Sequence, residues 1–150
     1  MPMPPMPAKN HDTPFASMRS DHVAVRVPDF EVGKQWFVEK LDFRIVHEWS
    51  SDGLLFAYLA PATDDEFFLE LVGGGSPTPK PKYSSVKDSW RDAGYHHLCL
   101  HVDNVSETVE QLCQRGVTIV KRPFNLDLIS RRLAFLADPW DNLIELSETL

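Results

Sequence analysis

Two histidines and two glutamates in this 150-residue sequence have the residue types and the spacing of a metal site. His22 and Glu70 lie in the first half of the chain, and His97 and Glu145 follow them 75 residues later. Imidazole nitrogens and carboxylate oxygens without a thiolate suit Zn, Ni, Co, Mn or Fe(II). A lone strand histidine is more often a hydrogen-bonded core residue than a ligand. The repeated pairing with glutamate nevertheless favours a metal site.

The two glutamates strengthen that interpretation. Each lies within an apolar segment typical of a buried strand, FFLELV at 67–72 and NLIELS at 142–147. An unpaired buried carboxylate costs on the order of several kcal/mol, so each glutamate needs a partner. A bound cation would provide one for both.

The same offset extends to longer segments, which indicates an internal repeat. DHVAVRVPDF at 21–30 aligns with HHLCLHVDNV at 96–105, and FRIV at 43–46 aligns with VTIV at 117–120. Each copy predicts a strand, a helix and three further strands. We therefore predict an α+β fold built from two tandem βαβββ modules.

Local signals mark the ends of these elements. Asp29 and Asn104 are the expected helix N-caps, since a short side-chain oxygen can accept from the free amides of the first turn. Gly116 suits the end of the second helix, and Asp52-Gly53 predicts a tight hairpin. The resulting organisation comprises a disordered N-terminal lead (1–20), a first module (21–72), a Gly/Pro-rich linker (73–94) and a second module (95–150).

Strand alternation divides each module into two faces. Around His22 it places Ala24 and Arg26 on the same face, and around His97 it places Cys99 and His101 there. The opposite faces are apolar and suit packing against a helix. If a pseudo-twofold axis pairs the modules through their polar faces, two histidines and two glutamates converge on one centre.

Composition excludes several classes of function. The net charge is −7 and no basic stripe occurs, which argues against a nucleic-acid partner. The apolar runs are strand-sized, so we expect no membrane span, and the first 15 residues lack the pattern of a secretory signal. The two cysteines, Cys99 and Cys113, form no C-x-x-C motif. Reduced thiols and a cytoplasmic location are the simplest expectation.

Three segments resemble the vicinal oxygen chelate superfamily, which includes glyoxalase I, methylmalonyl-CoA epimerase, extradiol dioxygenases and bleomycin-resistance proteins. They are HVAVRVPD, GYHHLCLHVDNV and DPWDNLIEL, and the resemblance covers about 20–148. It implies a single glyoxalase-like domain in which the modules form a curved, incomplete barrel-like mixed sheet. It also implies one divalent metal, Zn or Ni before Co, Mn or Fe, held by His22, Glu70, His97 and Glu145.

Four protein ligands on an octahedral ion leave two positions open for a substrate with two vicinal oxygens. The resemblance to glyoxalase I then implies a lyase or isomerase that works through an enediolate stabilised by the metal. We expect Glu145 as the principal base, with Glu70 nearly equivalent through the pseudo-symmetry.

The same resemblance suggests how the substrate binds. Arg26 occupies the place of an arginine that helps bind the glutathione carboxylate, although it could equally satisfy an inward-facing carboxylate, and His101 could line the pocket. A glutathione hemithioacetal or a CoA thioester is the expected substrate class, and a homodimer the expected assembly. Glyoxalase I has asparagine where this chain has Gly74, which counts against glutathione.

Three alternatives remain open within the superfamily. A methylmalonyl-CoA epimerase normally has glutamine at the place of Glu70, and an extradiol dioxygenase resembles a three-ligand site. The third is a drug-sequestering protein without catalysis, whose known members lack the four ligands. The site could form within one chain or across a swapped dimer.

Overall fold

The computed structural model describes residues 3–150, so the first two residues of the predicted lead lie outside the described part of the chain. Between residues 3 and 21 the chain forms a turn and bends but no helix or strand. The first module contains β1 (His22–Arg26), α1 (Phe30–Leu41), β2 (Arg44–Ser51), β3 (Leu54–Ala60) and β4 (Phe68–Gly73). A short helix, α2 (Val86–Ser89), lies in the linker. The second module contains β5 (His97–His101), α3 (Val105–Gln114), β6 (Thr118–Leu126), β7 (Arg131–Ala137) and β8 (Leu143–Thr149).

Each module forms one open four-stranded mixed sheet, in the order β1-β4-β3-β2 or β5-β8-β7-β6. The first strand of each module runs parallel to the last, and the other pairings are antiparallel. One core lies between the helices and the apolar sheet faces, and it includes Phe37 and Leu71 of the first module and Val109 and Leu146 of the second. The predicted α+β class and the unclosed mixed sheets are confirmed.

The local signals act as expected. The Asp29 and Asn104 side chains each accept a hydrogen bond at 3.0 Å from the backbone N–H three residues later. Asp52 and Gly53 both have positive φ, at 51° and 77°, which is the conformation of the hairpin turn that joins β2 to β3. Gly116, with φ at 74°, follows α3 as expected.

Two features differ from the expected pattern. β6, which contains most of the VTIV segment at 117–120, continues to Leu126, past a register shift that contains Pro123, where a missing N–H does no harm. The linker contains α2, whose N-cap is the hydroxyl of Ser85. No helix within residues 3–150 is long and apolar enough to cross a membrane.

The two modules meet where their helices end. Lys40 Nζ donates to the main-chain oxygen of Arg115 at 2.6 Å, and Arg115 Nη1 donates to the main-chain oxygen of Lys40 at 3.1 Å. These residues are equivalent in the repeat, 75 positions apart. Each cation also offsets the partial negative charge at the C-terminus of the other helix. This reciprocal exchange joins the C-terminal ends of the two helices.

Candidate metal centre

The first His–Glu pair lies on two adjacent strands. β1 runs parallel to β4, with Ala24 opposite Glu70, so His22 and Glu70 are close neighbours on one face. His22 Nε2 lies 3.7 Å from Glu70 Oε2, and the two side chains are 35% and 16% exposed. The carboxylate is therefore largely removed from water while the imidazole stays accessible.

The second pair repeats this arrangement on β5 and β8. His97 Nε2 lies 3.5 Å from Glu145 Oε2, and the side chains are 21% and 15% exposed. The edge of the His97 ring packs against Phe135, with ring centroids 5.4 Å apart. The pairing that the sequence predicts within each module is therefore present in both.

The remaining ring nitrogen of each histidine is hydrogen-bonded. His22 Nδ1 lies 2.6 Å from Asp21 Oδ2, and His97 Nδ1 lies 2.8 Å from His96 Nδ1. A carboxylate accepts, so His22 carries its proton on Nδ1 and directs the Nε2 lone pair towards Glu70. Metal-binding histidines usually donate their other N–H in this way, which orients the ring and raises its basicity.

The separation within each pair fits two ligands of one ion. Two donors held ~2.1 Å from an ion are about 3.0 Å apart at the 90° angle of an octahedral site and about 3.4 Å apart at a tetrahedral angle. The observed distances of 3.7 Å and 3.5 Å are within about 1 Å of the octahedral value. Each module thus provides half of a nitrogen–oxygen donor set that a divalent metal accepts.

One chain does not bring the two pairs to a single centre. Among residues 3–150, no three His, Cys, Asp or Glu side chains are close enough together to hold a metal ion. β1 and β5 each lie at the edge of a separate sheet. The polar faces that carry the two pairs therefore do not form one four-ligand site within the described residues. A four-ligand centre needs these faces to be brought together in some other way.

The two glutamates have different neighbours. Cys99 Sγ donates to Glu145 Oε1 at 3.2 Å. Partial burial of the sulfur raises the pKa of the Cys99 thiol to about 12, with the hydrogen bond and charge of Glu145 acting in the same direction. Within the described residues no donor is hydrogen-bonded to Glu70. Burial, followed by the charge of Glu70, raises the pKa of the nearby Tyr58 hydroxyl.

An aromatic surface adjoins the first pair, and we call it the aromatic wall. The Tyr58 ring lies 5.3 Å from the His22 ring and 5.5 Å from Phe68. Trp49 is 5.2 Å from Phe56 at an interplanar angle of 6°, and 4.9 Å from Tyr58. The wall consists of His47, Trp49, Phe56, Tyr58 and Phe68, and each of these side chains is at least partly exposed. It offers flat apolar surface beside a possible metal ligand.

The two expected substrate-binding residues, Arg26 and His101, differ in their hydrogen bonding. The Arg26 guanidinium donates to the carbonyl oxygens of Val27 at 2.9 Å and Val72 at 3.0 Å, and also to that of Gly74. Its donors therefore stabilise the loop after β4. His101 is exposed at the end of β5, on the face that carries His97.

Three supporting residues have no place in the set of candidates drawn from the sequence: Asp21, His96 and Ser89. Asp21 and His96 occupy equivalent repeat positions, each directly before a histidine ligand. Their shared position in the repeat could have indicated that both residues support the histidine that follows. His96 is also bonded to Ser89 through its other nitrogen, and burial, with the neighbouring His97 and Lys80, lowers the pKa of His96. Ser89 belongs to no repeated segment, so the sequence gives no indication that it contacts His96.

Comparison with known proteins identifies a family and several proteins that this chain resembles. The family model described as the glyoxalase/bleomycin resistance protein/dioxygenase superfamily matches residues 19–146. The uncharacterized protein YwkD of Bacillus subtilis (strain 168) is 26% identical over 85% of this chain and 94% of its own length. A lactoylglutathione lyase of Schizosaccharomyces pombe (strain 972) is 30% identical over 89% of this chain but only 46% of its own length. The crystal structure of SMU.1112c superposes with a TM-score of 0.74 at 20% identity, covering 88% of this chain and 99% of the other.

Proposed function

Because the chain belongs to the glyoxalase/bleomycin resistance protein/dioxygenase superfamily, we propose that it is a metal-dependent lyase or isomerase similar to lactoylglutathione lyase. Its substrate is a small molecule with two vicinal oxygens. One observation carries the proposal: in each module an oriented imidazole faces a glutamate, with His22 Nε2 3.7 Å from Glu70 and His97 Nε2 3.5 Å from Glu145.

These four residues are the proposed ligands of one divalent ion. The oriented nitrogens and the half-buried carboxylates suit Zn or Ni first, and Co, Mn or Fe(II) as alternatives. When bound, the metal supplies Lewis-acid polarisation of the substrate oxygens, which makes the intervening C–H more acidic.

A homodimer is the proposed active form. One chain keeps its two pairs apart, so a second copy would have to supply the other pair of each centre. His22 and Glu70 of one copy would then face His97 and Glu145 of the other. A twofold dimer would contain two such centres.

The hydrogen bonding favours Glu70 as the base that removes the substrate proton. Glu145, which the sequence favoured, has its Oε1 engaged by the Cys99 thiol, so that oxygen is less available to a substrate proton. Glu70 has no such donor among residues 3–150. Proton return to the adjacent carbon falls to the same Glu70 oxygen or to Glu145 from the opposite side.

The glutathione-binding residues of glyoxalase I are only partly matched in this chain. Gly74 has φ at 81°, and a side chain there would come within 2.8 Å of the Gly53 carbonyl, so the asparagine of glyoxalase I has no equivalent space here. Arg26 is engaged by backbone carbonyls. Hemithioacetals of glutathione and of smaller thiols are the first substrates to compare, followed by CoA thioesters with an acidic α-hydrogen.

Elemental analysis of gently purified protein, combined with turnover of that substrate panel, tests the proposal. We expect about one Zn or Ni per chain, lost when His22, Glu70, His97 and Glu145 are all replaced by alanine. His11→Ala with Glu66→Ala is a matched control, since both residues are exposed. Iron or manganese with oxygen uptake would instead support a dioxygenase. Failure to bind any of these metals after reconstitution would rule out the metal centre.

The aromatic wall favours a second function, the sequestration of a planar drug-like molecule. Stacked Trp49 and Phe56 offer a surface that such a ligand matches. Titration with planar aromatic compounds, read by tryptophan fluorescence, distinguishes the two functions. Tight binding that needs Trp49 but neither metal nor the four ligands would replace the enzyme proposal.

A cytoplasmic location is part of the proposal. Cys99 and Cys113 are both free thiols, which fits a reducing compartment. Fractionation of cells that express the tagged chain tests it, and recovery in an oxidising compartment would contradict it.

A further inference from the structure

A chain of hydrogen bonds extends from His97 into the linker. His97 Nδ1 lies 2.8 Å from His96 Nδ1, and His96 Nε2 lies 2.7 Å from Ser89 Oγ. The Ser89 hydroxyl donates to the Val86 carbonyl at 2.7 Å. Four groups are thus linked in one line, from the N-terminal end of β5 to the first turn of α2.

Only one direction of donation satisfies this line with neutral histidines. The Val86 carbonyl can only accept, so the single proton of Ser89 points to it, and Ser89 Oγ accepts from His96 Nε2–H. His96 Nδ1 is then bare and accepts from His97 Nδ1–H. His97 is left with its lone pair on Nε2, the nitrogen that lies 3.5 Å from Glu145 Oε2.

The surroundings hold this line in place. Ser89 is only 3% exposed, so water competes little for its hydroxyl. The Trp90 ring stacks on His96 with centroids 3.8 Å apart and an interplanar angle of 3°, which fixes the plane of the imidazole. The first module achieves the same orientation in one step, because Asp21 accepts directly from His22.

We propose that Ser89 and His96 are positioning residues that fix His97 as its Nδ1–H tautomer and so present Nε2 as a metal donor. The role in metal binding rests on the proposed metal centre, whereas the tautomer is a property of the metal-free chain. Neither residue is one of the four proposed ligands. They act through His97 alone.

The direct measurement is ¹⁵N NMR of the metal-free protein labelled at histidine, because protonated and bare ring nitrogens have distinct shifts. We expect a protonated Nδ1 and a bare Nε2 at His97. His96→Phe keeps a ring for Trp90 to stack on but removes the acceptor, so His97 should become a mixture of tautomers. His96→Asn retains an acceptor near the position of Nδ1 and should restore the wild-type pattern. Ser89→Ala should give an intermediate loss.

Metal affinity provides the second readout. Loss of an orienting partner typically weakens metal binding about 10- to 100-fold. We expect that weakening for His96→Phe in competition with a chelator, and near wild-type affinity for His96→Asn. The signals of His22, whose partner Asp21 is unchanged, serve as an internal control for correct folding in every spectrum.

Two results would overturn the proposal: a protonated Nε2 at His97 in the wild type, or a His96→Phe variant that keeps both the tautomer and the affinity. A wild-type chain that binds no metal, yet shows the expected tautomer and loses it in His96→Phe, would refute the metal centre while leaving the tautomer assignment standing. The two failures are therefore distinguishable.

Discussion

The two modules present the same ligand pair in different surroundings. In the first, His22 is oriented by a carboxylate, Glu70 is free of hydrogen-bond donors within the described residues, and the partly exposed aromatic wall adjoins them. In the second, His97 is oriented through a neutral imidazole, and Glu145 accepts from Cys99. The residue that corresponds to Tyr58 in strand register is Phe135, which is only 4% exposed.

Under the proposed function, this difference would give the two modules separate roles. A carboxylate without hydrogen-bond donors has both oxygens available to a ligand, and an open aromatic surface can hold part of a substrate. A carboxylate engaged by a thiol, beside a filled hydrophobic face, is better suited to holding a metal still. We infer that the first module contributes reactivity and the second contributes rigidity.

The largest expected effect concerns the two glutamates. Glu70→Gln should lower turnover by about 10²- to 10⁴-fold, the usual contribution of a general base. Glu145→Gln should lower metal affinity more than Glu70→Gln does, and turnover less once metal is saturating. Steady-state kinetics at saturating metal, beside chelator competition, measure both. The reverse ranking would return the role of base to Glu145.

Mixing two variants that each lack one histidine tests whether the His22–Glu70 and His97–Glu145 pairs bind one metal ion. His22→Ala and His97→Ala should each lose metal alone. Suppose that each centre combines the first module of one copy with the second module of another. About half of the randomly formed dimers are then mixed, and one of the two centres in each mixed dimer is intact, so about a quarter of all centres should bind metal. Metal analysis after co-refolding measures this fraction. No recovery would indicate that each chain completes its own centre.

The loops before β4 and β8 should differ in their contribution to stability. The buried Asp138 accepts from the backbone N–H groups of Trp140 and Asn142, each at 2.9 Å, whereas the exposed Asp64 accepts from one N–H. Asp138→Ala should lower the free energy of unfolding by about 1–3 kcal/mol, since buried donors lose their acceptor. Asp64→Ala should change it by less than about 0.5 kcal/mol. Urea denaturation measures both, and equal losses would contradict the proposed rigidity of the second module.

The repeat explains how far the sequence could lead. A 75-residue offset and strand alternation were enough to predict the modules, their class and both His–Glu pairs, because these depend on local pattern. How the modules dock depends on contacts such as Lys40 with Arg115, which no periodicity encodes. Strand alternation alone would assign His96 to the face opposite His97, but β5 begins only at His97, so the rule does not apply to His96. Arg26 lies on the expected strand, yet its long side chain turns back to backbone carbonyls.

The smallest expected effect is on the reactivity of the Cys99 thiol, which contacts Glu145 but not Glu70. With its pKa raised to about 12, Cys99 stays protonated at pH 8 and ionises only as the pH approaches that value, so a disulfide reagent should react with it slowly in metal-free Cys113→Ala protein. Glu145→Gln removes both a carboxylate acceptor and a negative charge, which lowers the pKa of the thiol and should raise the rate at pH 8 about tenfold. Glu70→Gln is the matched control and should leave the rate unchanged. If both substitutions accelerate the reaction equally, the carboxylate of the second module is not held by Cys99, and the contrast between the modules loses its chemical basis.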